Sequence, residues 1–185
     1  MTTYTVLMAA PAVGLLCCAA LIDVRSRRIP NWVTFSLVLS GLAQSVAFNG
    51  AVSTPGQAIL GLCAGFALPF AMFAIGALGG GDVKLLAGIG AWFGASAVLQ
   101  VFCLEAAVGM TMVLAQAASQ GRLNALFRNS AVLAVNLAHV SDVGVDHVRA
   151  TGQASKSIDR PLPYAVPVLI AVLILLAWNW TPGSM

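Results

Sequence analysis

Apolar residues run through this chain in long blocks interrupted by proline, glycine and short clusters of charge, at roughly 4 to 22, 32 to 48, 57 to 78, 83 to 97, 98 to 118 and 163 to 180. A helix needs about 20 mostly apolar residues to cross ~30 Å of hydrocarbon at ~1.5 Å rise per residue. The blocks therefore predict an all-α polytopic membrane protein with about six transmembrane helices. The fourth and fifth form one stretch, "LLAGIGAWFGASAVLQVFCLEAAVGMTMVLAQAA", free of charge as far as Glu105. It is too long for a single crossing, and a tight turn near Gly94 to Ser96 divides it into two short helices. The alternative is one crossing followed by a re-entrant piece.

Helix punctuation agrees with these boundaries. Pro30 and Asn31 precede the second block, and Thr54 and Pro55 precede the third, with Asn31 and Thr54 as candidate caps. Gly61 and Gly65 form a small-xxx-small pair that lets helix backbones approach in lipid. One polar segment remains, a cytoplasmic loop over 119 to 162. Its middle, "LFRNSAVLAVNLAHV", predicts an amphipathic interfacial helix, and the rest reads as flexible. No internal repeat divides the chain, so 1 to 185 reads as a single membrane-embedded domain.

Composition sharpens the class. Of 185 residues, 59% are hydrophobic and 8% charged, against about a quarter charged in a soluble globular domain. Charge also fixes orientation, because cytoplasmic loops collect Lys and Arg. With six spans and the N-terminus outside, all nine basic residues, from Arg25, Arg27 and Arg28 through Lys84 to Arg160, fall on the cytoplasmic side. No basic residue precedes the first block, so that block reads as a retained span rather than a cleaved signal. The expected setting is the inner (plasma) membrane, with the lipid bilayer as a partner and no nucleic acid.

Four cysteines lie within apolar runs and none forms a C-x-x-C pair, so no disulfide or metal is expected. His139 and His147 lack metal-ligand spacing. Three of the six acids, Asp142, Asp146 and Asp159, belong to the polar loop and read as solvated surface. The other three, Asp23, Asp82 and Glu105, sit in or at the edge of apolar blocks, where carboxylates are costly unless paired and tend to mark function.

Asp23 and Asp82 are 59 positions apart, yet the topology puts both at the cytoplasmic edge. A carboxyl pair at one depth suits a chemistry without metal or cofactor: one Asp activates water while the other, protonated, polarises a carbonyl. The glycines of "GGGD" offer an extended backbone against which a peptide strand lies; read alone, they are also consistent with a turn holding an incidental Asp. Helix dipoles make Asp82, at a helix start, the base and Asp23, at a helix end, the acid. Lys84 orients Asp82, binds a substrate carboxylate, or marks the cytoplasmic face. Glu105 reads as a hydrogen-bond partner facing the bundle interior.

"IDVRSRRIPN" and "GGGDVKLLAGIGAWFG" resemble the two aspartate motifs of the type IV prepilin peptidases, membrane aspartic peptidases of the GxGD class. "LPYAVPVLIA", at 162 to 171, resembles the Pro-Tyr-containing final span of that family. The resemblance implies catalytic roles for Asp23 and Asp82, and places the Gly-x-Gly-Asp motif on Gly79, Gly80, Gly81 and Asp82. It implies cleavage of the leader of prepilins and pilin-like proteins at the cytoplasmic membrane face, without a cofactor. With no C-x-x-C motif, the chain looks like the short form lacking the methyltransferase domain, as in Flp or tight-adherence pili. Substrate identity and oligomeric state stay open. A rival reading is a small proton- or ion-coupled transporter using the same carboxylates, although relay acids belong at staggered depths near the midplane.

Overall fold

The computed structural model describes residues 3–47, 52–74, 78–138 and 163–180. They form seven helices and, among the described residues, no strand: α1 (Thr3–Ser26), α2 (Asn31–Ala47), α3 (Pro55–Ala74), α4 (Gly80–Phe93), α5 (Ala95–Ser119), α6 (Leu123–Ala138) and α7 (Ala165–Trp180). Within α1, α3 and α5, the segments Met8–Ser26, Pro55–Ala74 and Ala95–Ser119 are long and apolar enough to cross a bilayer. The described residues are all-helical and carry the apolar helices of a membrane protein. Where six apolar runs were expected to cross, three helices of crossing length are found among the described residues. The helices α2, α4 and α7 have 17, 14 and 16 residues, or about 21 to 26 Å at ~1.5 Å per residue.

Local chemistry sets the boundaries. Thr54 accepts the Gln57 N–H at 3.4 Å, and the Gln57 carboxamide oxygen accepts the Thr54 N–H at 3.1 Å. This is a capping box with Pro55 at the first helical position, where its missing N–H costs nothing. The expected cap at Asn31 takes another form. The Pro30 carbonyl accepts the N–H groups of Val33 and Thr34, at 3.2 and 3.5 Å, and the Asn31 side chain binds elsewhere. Between α4 and α5 the chain breaks at Gly94, whose φ of +84° lies in the region that favours glycine. The charge-free run is therefore two helices, divided where the turn was expected.

The helix α4 is the axis of the molecule. Apart from Lys84, every residue from Val83 to Phe93 is buried, as expected of a helix apolar all round. Around it α1, α2, α3, α5 and α7 pack in a closed ring, each against the next. In lipid, helix association has no hydrophobic drive and relies on close packing. The α3–α4 contact shows how: a Cβ on Gly61 would overlap the carbonyl oxygen of Gly90, and a Cβ on Gly90 would overlap that of Gly61. Polar groups finish the far end of α4. Trp92 Nε1 donates to the Leu37 carbonyl at 3.0 Å, and Ser53 Oγ and Gln44 Nε2 donate to the carbonyls of Ala91 and Trp92 at 3.4 and 3.5 Å. The last carbonyls of a helix have no partner within it, and these side chains supply one.

The helix α6 packs against α5 and carries the segment read as an interfacial helix as far as Ala138. Residues 139–162, which hold Asp142, Asp146, Asp159, His139 and His147 and were expected to continue the polar segment, lie outside the described residues.

Candidate active site

Asp23 lies on the last turn of α1 and is 5% exposed. The helix closes when the N–H of Arg27 donates to the Asp23 carbonyl at 2.8 Å, with Arg27 in the left-handed region at φ +55°. That closure is the single-bond C-terminal motif glycine usually supplies. The Ser26 hydroxyl, 2.9 Å from the Ile22 carbonyl and 3.1 Å from that of Arg28, ties the turn to the helix. Arg27, Arg28 and Ile29 are thereby folded back toward Asp23.

Asp82 is the third residue of α4. Gly79 precedes the helix in extended backbone, φ −84° and ψ 152°. Its N–H donates to Oδ2 of Asp82 at 3.0 Å. The carboxylate thus reaches back as the acidic half of a capping box, and glycine has no side chain to supply the other half. Gly80 and Gly81 already belong to the first turn of α4, so the extended backbone expected of "GGGD" is confined to Gly79, whose N–H is taken by Asp82.

The two aspartates, so far apart in sequence, line one cavity of about 360 Å³ together with Gly79, Gly81 and Tyr164. Arg27, Arg28 and Ile29 complete its wall. Asp82 precedes the apolar block that begins at Val83 and lies outside the membrane-length helices. Burial raises its carboxyl from 3.8 to about 6; the Gly79 N–H works against this, and the nearby charge of Asp23 adds to it. Two carboxyls whose charges are felt by each other can hold one proton between them, which is the requirement for paired acid and base catalysis.

Other expected residues are placed differently. Lys84 donates to Asn31 Oδ1 at 2.9 Å and lines a neighbouring apolar groove with Trp32, Phe35 and Phe66, not the aspartate cavity. Gly80 also stands outside the cavity wall, facing the ring of Phe73. Among the described residues no three His, Cys, Asp or Glu side chains stand together as a metal site.

Three features of the site go beyond the sequence reading, which has Glu105 as a hydrogen-bond partner facing the bundle interior but does not name what it binds. The N–H of Ala165, the first residue of α7, donates to Oδ2 of Asp23 at 3.0 Å. Both aspartates therefore stand at a helix N-terminus, and the dipole argument no longer tells them apart. The hydroxyl of Tyr164 donates to Oε1 of Glu105, which is 4% exposed on α5. Arg27 and Arg28, legible only as topology markers, are cavity wall.

A model described as the type IV leader peptidase family matches residues 11–114. Among curated proteins, the preflagellin peptidase of Methanocaldococcus jannaschii is 40% identical over 87 residues, which cover 43% of this chain and 35% of that protein's length. The chain thus matches about a third of that relative. No solved structure matches it. The matched region takes in more than half of the chain and holds both cavity aspartates, and on that match the chain belongs to the type IV leader peptidase family.

Proposed function

We propose that this protein is an intramembrane-type aspartic endopeptidase that removes the leader of prepilins or pilin-like proteins, of the Flp or tight-adherence kind, at the cytoplasmic membrane face. One observation carries the reading: Asp23 and Asp82, from α1 and α4, line a single cavity bordered by glycine. Family membership and the preflagellin peptidase relative support the same chemistry.

In this reading Asp82 is the acid and Asp23 the base, reversing the assignment from dipoles alone. Asp82 is buried enough to keep its proton to about pH 6. Asp23 takes a proton from water while the resulting hydroxide forms a bond to the scissile carbonyl carbon. Asp82 gives its proton to the carbonyl oxygen. As the tetrahedral intermediate breaks, Asp23 protonates the leaving nitrogen and Asp82 recovers a proton from the intermediate's hydroxyl, so both groups return to their starting state. Six crossings with the N-terminus outside bring this cavity to the cytoplasmic face, where the basic residues gather.

The test is a prepilin co-expressed with Asp23→Asn or Asp82→Asn in intact membranes. Each substitution abolishes leader removal while the protein stays membrane-inserted; normal processing by either variant refutes the dyad. Ion flux in proteoliposomes, indifferent to leader peptide and lost in the same variants, assigns the carboxylates to transport instead.

A further inference from the structure

Glu105 is the third acid in or at the edge of an apolar block, and the proposed reaction does not use it. It is buried, its Oε1 accepts the Tyr164 hydroxyl, and its Oε2 has no partner among the described residues. A carboxyl in such a setting is costly and calls for a reason. Tyr164 supplies one by its position. Its side chain lines the aspartate cavity on one side and, on the other, a second cavity of about 280 Å³ bordered by Glu105, Ser130 and Pro167. The next residue is Ala165, whose N–H holds Asp23.

We propose that Glu105 and Tyr164 are positioning residues that fix the N-terminus of α7 so that the Ala165 N–H orients the Asp23 carboxylate. The chain of contacts runs from α5 through the Tyr164 hydroxyl and one peptide unit to α1. With Oδ2 held by Ala165, Oδ1 is the oxygen left to take the proton from water. Tyr164 is the residue next to Ala165, and its hydroxyl ties the start of α7 to α5. The groups facing Asp23 across the cavity are Arg27 and Arg28 from its own turn, Asp82 from α4 and Tyr164 from the start of α7; Ala165 is the one whose bond Oδ2 accepts. Tyr164 and Ala165 lie beyond the region matched by the family model. The proposal rests on the peptidase reading for its catalytic consequence, although the tether can be read without any activity.

The sequence makes the tether observable. Of the two tyrosines, Tyr4 precedes Thr5 and Tyr164 precedes Ala165, so carbonyl-13C tyrosine with 15N alanine selects the Ala165 amide alone. In the full-length protein that amide proton resonates downfield, as a donor to a carboxylate. Glu105→Ala, which keeps the labelled Tyr164–Ala165 pair, moves it upfield, and both Glu105→Ala and Tyr164→Phe lower kcat for leader cleavage by about ten- to a hundred-fold, since ~1 Å of misplacement costs up to about 100-fold, with KM unchanged. Glu105→Gln, whose carboxamide oxygen still accepts the hydroxyl, retains both resonance and kcat. Ala165→Pro removes the donor at a position where proline suits a helix and lowers kcat in the same way. An unmoved resonance in Glu105→Ala overturns the tether, and a moved resonance with unchanged kcat overturns its catalytic role. Cleavage that survives Asp23→Asn overturns the dyad instead, an outcome the amide resonance separates from failure of the tether.

Discussion

The backbone N–H of Gly79 donates to Oδ2 of Asp82 across 3.0 Å, and a methyl group on Gly79 would stand 2.9 Å from that same oxygen. The glycine therefore both holds the carboxylate and leaves it room. At the neighbouring positions the space differs: a Cβ on Gly81 would come within 3.3 Å of Ile29 Cβ, while one on Gly80 meets nothing nearer than Phe73 Cε2 at 3.7 Å. Of the three glycines, the middle one has the most room for a side chain.

Alanine substitution should follow that order. Gly79→Ala displaces the Asp82 carboxylate and lowers the cleavage rate by about ten-fold or more, given that ~1 Å of misplacement can cost about 100-fold. Gly81→Ala loses less. Gly80→Ala keeps wild-type rates and gains up to ~1 kcal/mol of helix propensity. Initial rates from the three purified variants decide it, and a Gly80 variant as damaged as the Gly79 one removes the steric explanation.

The pH dependence follows from Asp82. Its carboxyl is raised from 3.8 to about 6, so the folded protein keeps a proton that the unfolded chain releases between those values. The stability linked to this group is complete below about 3.8 and is lost as pH rises through about 6. In the proposed mechanism Asp82 acts in its protonated form, so kcat/KM is expected to fall by about ten-fold per pH unit above about 6. Asp23→Asn removes the neighbouring charge and shifts the titration of Asp82 downward. Carboxyl 13C shifts in detergent micelles measure that shift directly.

Close contact between α3 and α4 makes Gly90 intolerant of any side chain. Gly90→Ala drives a methyl group into the Gly61 carbonyl and destabilises the bundle by about 1–3 kcal/mol or more. Gly14→Ala in α1, where a Cβ meets nothing within 4 Å, is neutral or stabilising by up to ~1 kcal/mol. Thermal unfolding in detergent compares the two.

At the opposite end of α4 the polar cluster is structural. Ser53→Ala removes the donor to the Ala91 carbonyl and the acceptor for Gln44 Nε2. It costs about 1–3 kcal/mol through the groups left unsatisfied. Cleavage per folded molecule stays unchanged, because the cluster sits about nine residues along α4 from Asp82, or ~14 Å at ~1.5 Å per residue.

Much of this molecule is written locally. The lengths of apolar runs mark it as a membrane protein, Thr54, Pro55 and Gln57 start α3, Gly94 divides α4 from α5, and Asp23 and Asp82 are legible as acids too costly to be incidental. Each of these depends on residues within a turn or two of one another, so composition and spacing suffice. The site as a set of contacts does not. The Ala165 N–H reaches Asp23 across 142 positions and Tyr164 reaches Glu105 across 59. Lys84, next but one to Asp82, turns to Asn31 across 53. Such partners are chosen by how the helices pack around α4, and in lipid that packing is governed by where backbones can touch, as at Gly61 and Gly90. The sequence by itself determined the class of molecule and the two aspartates; only the tertiary structure decided what holds each of them and which side chains close the cavity around them.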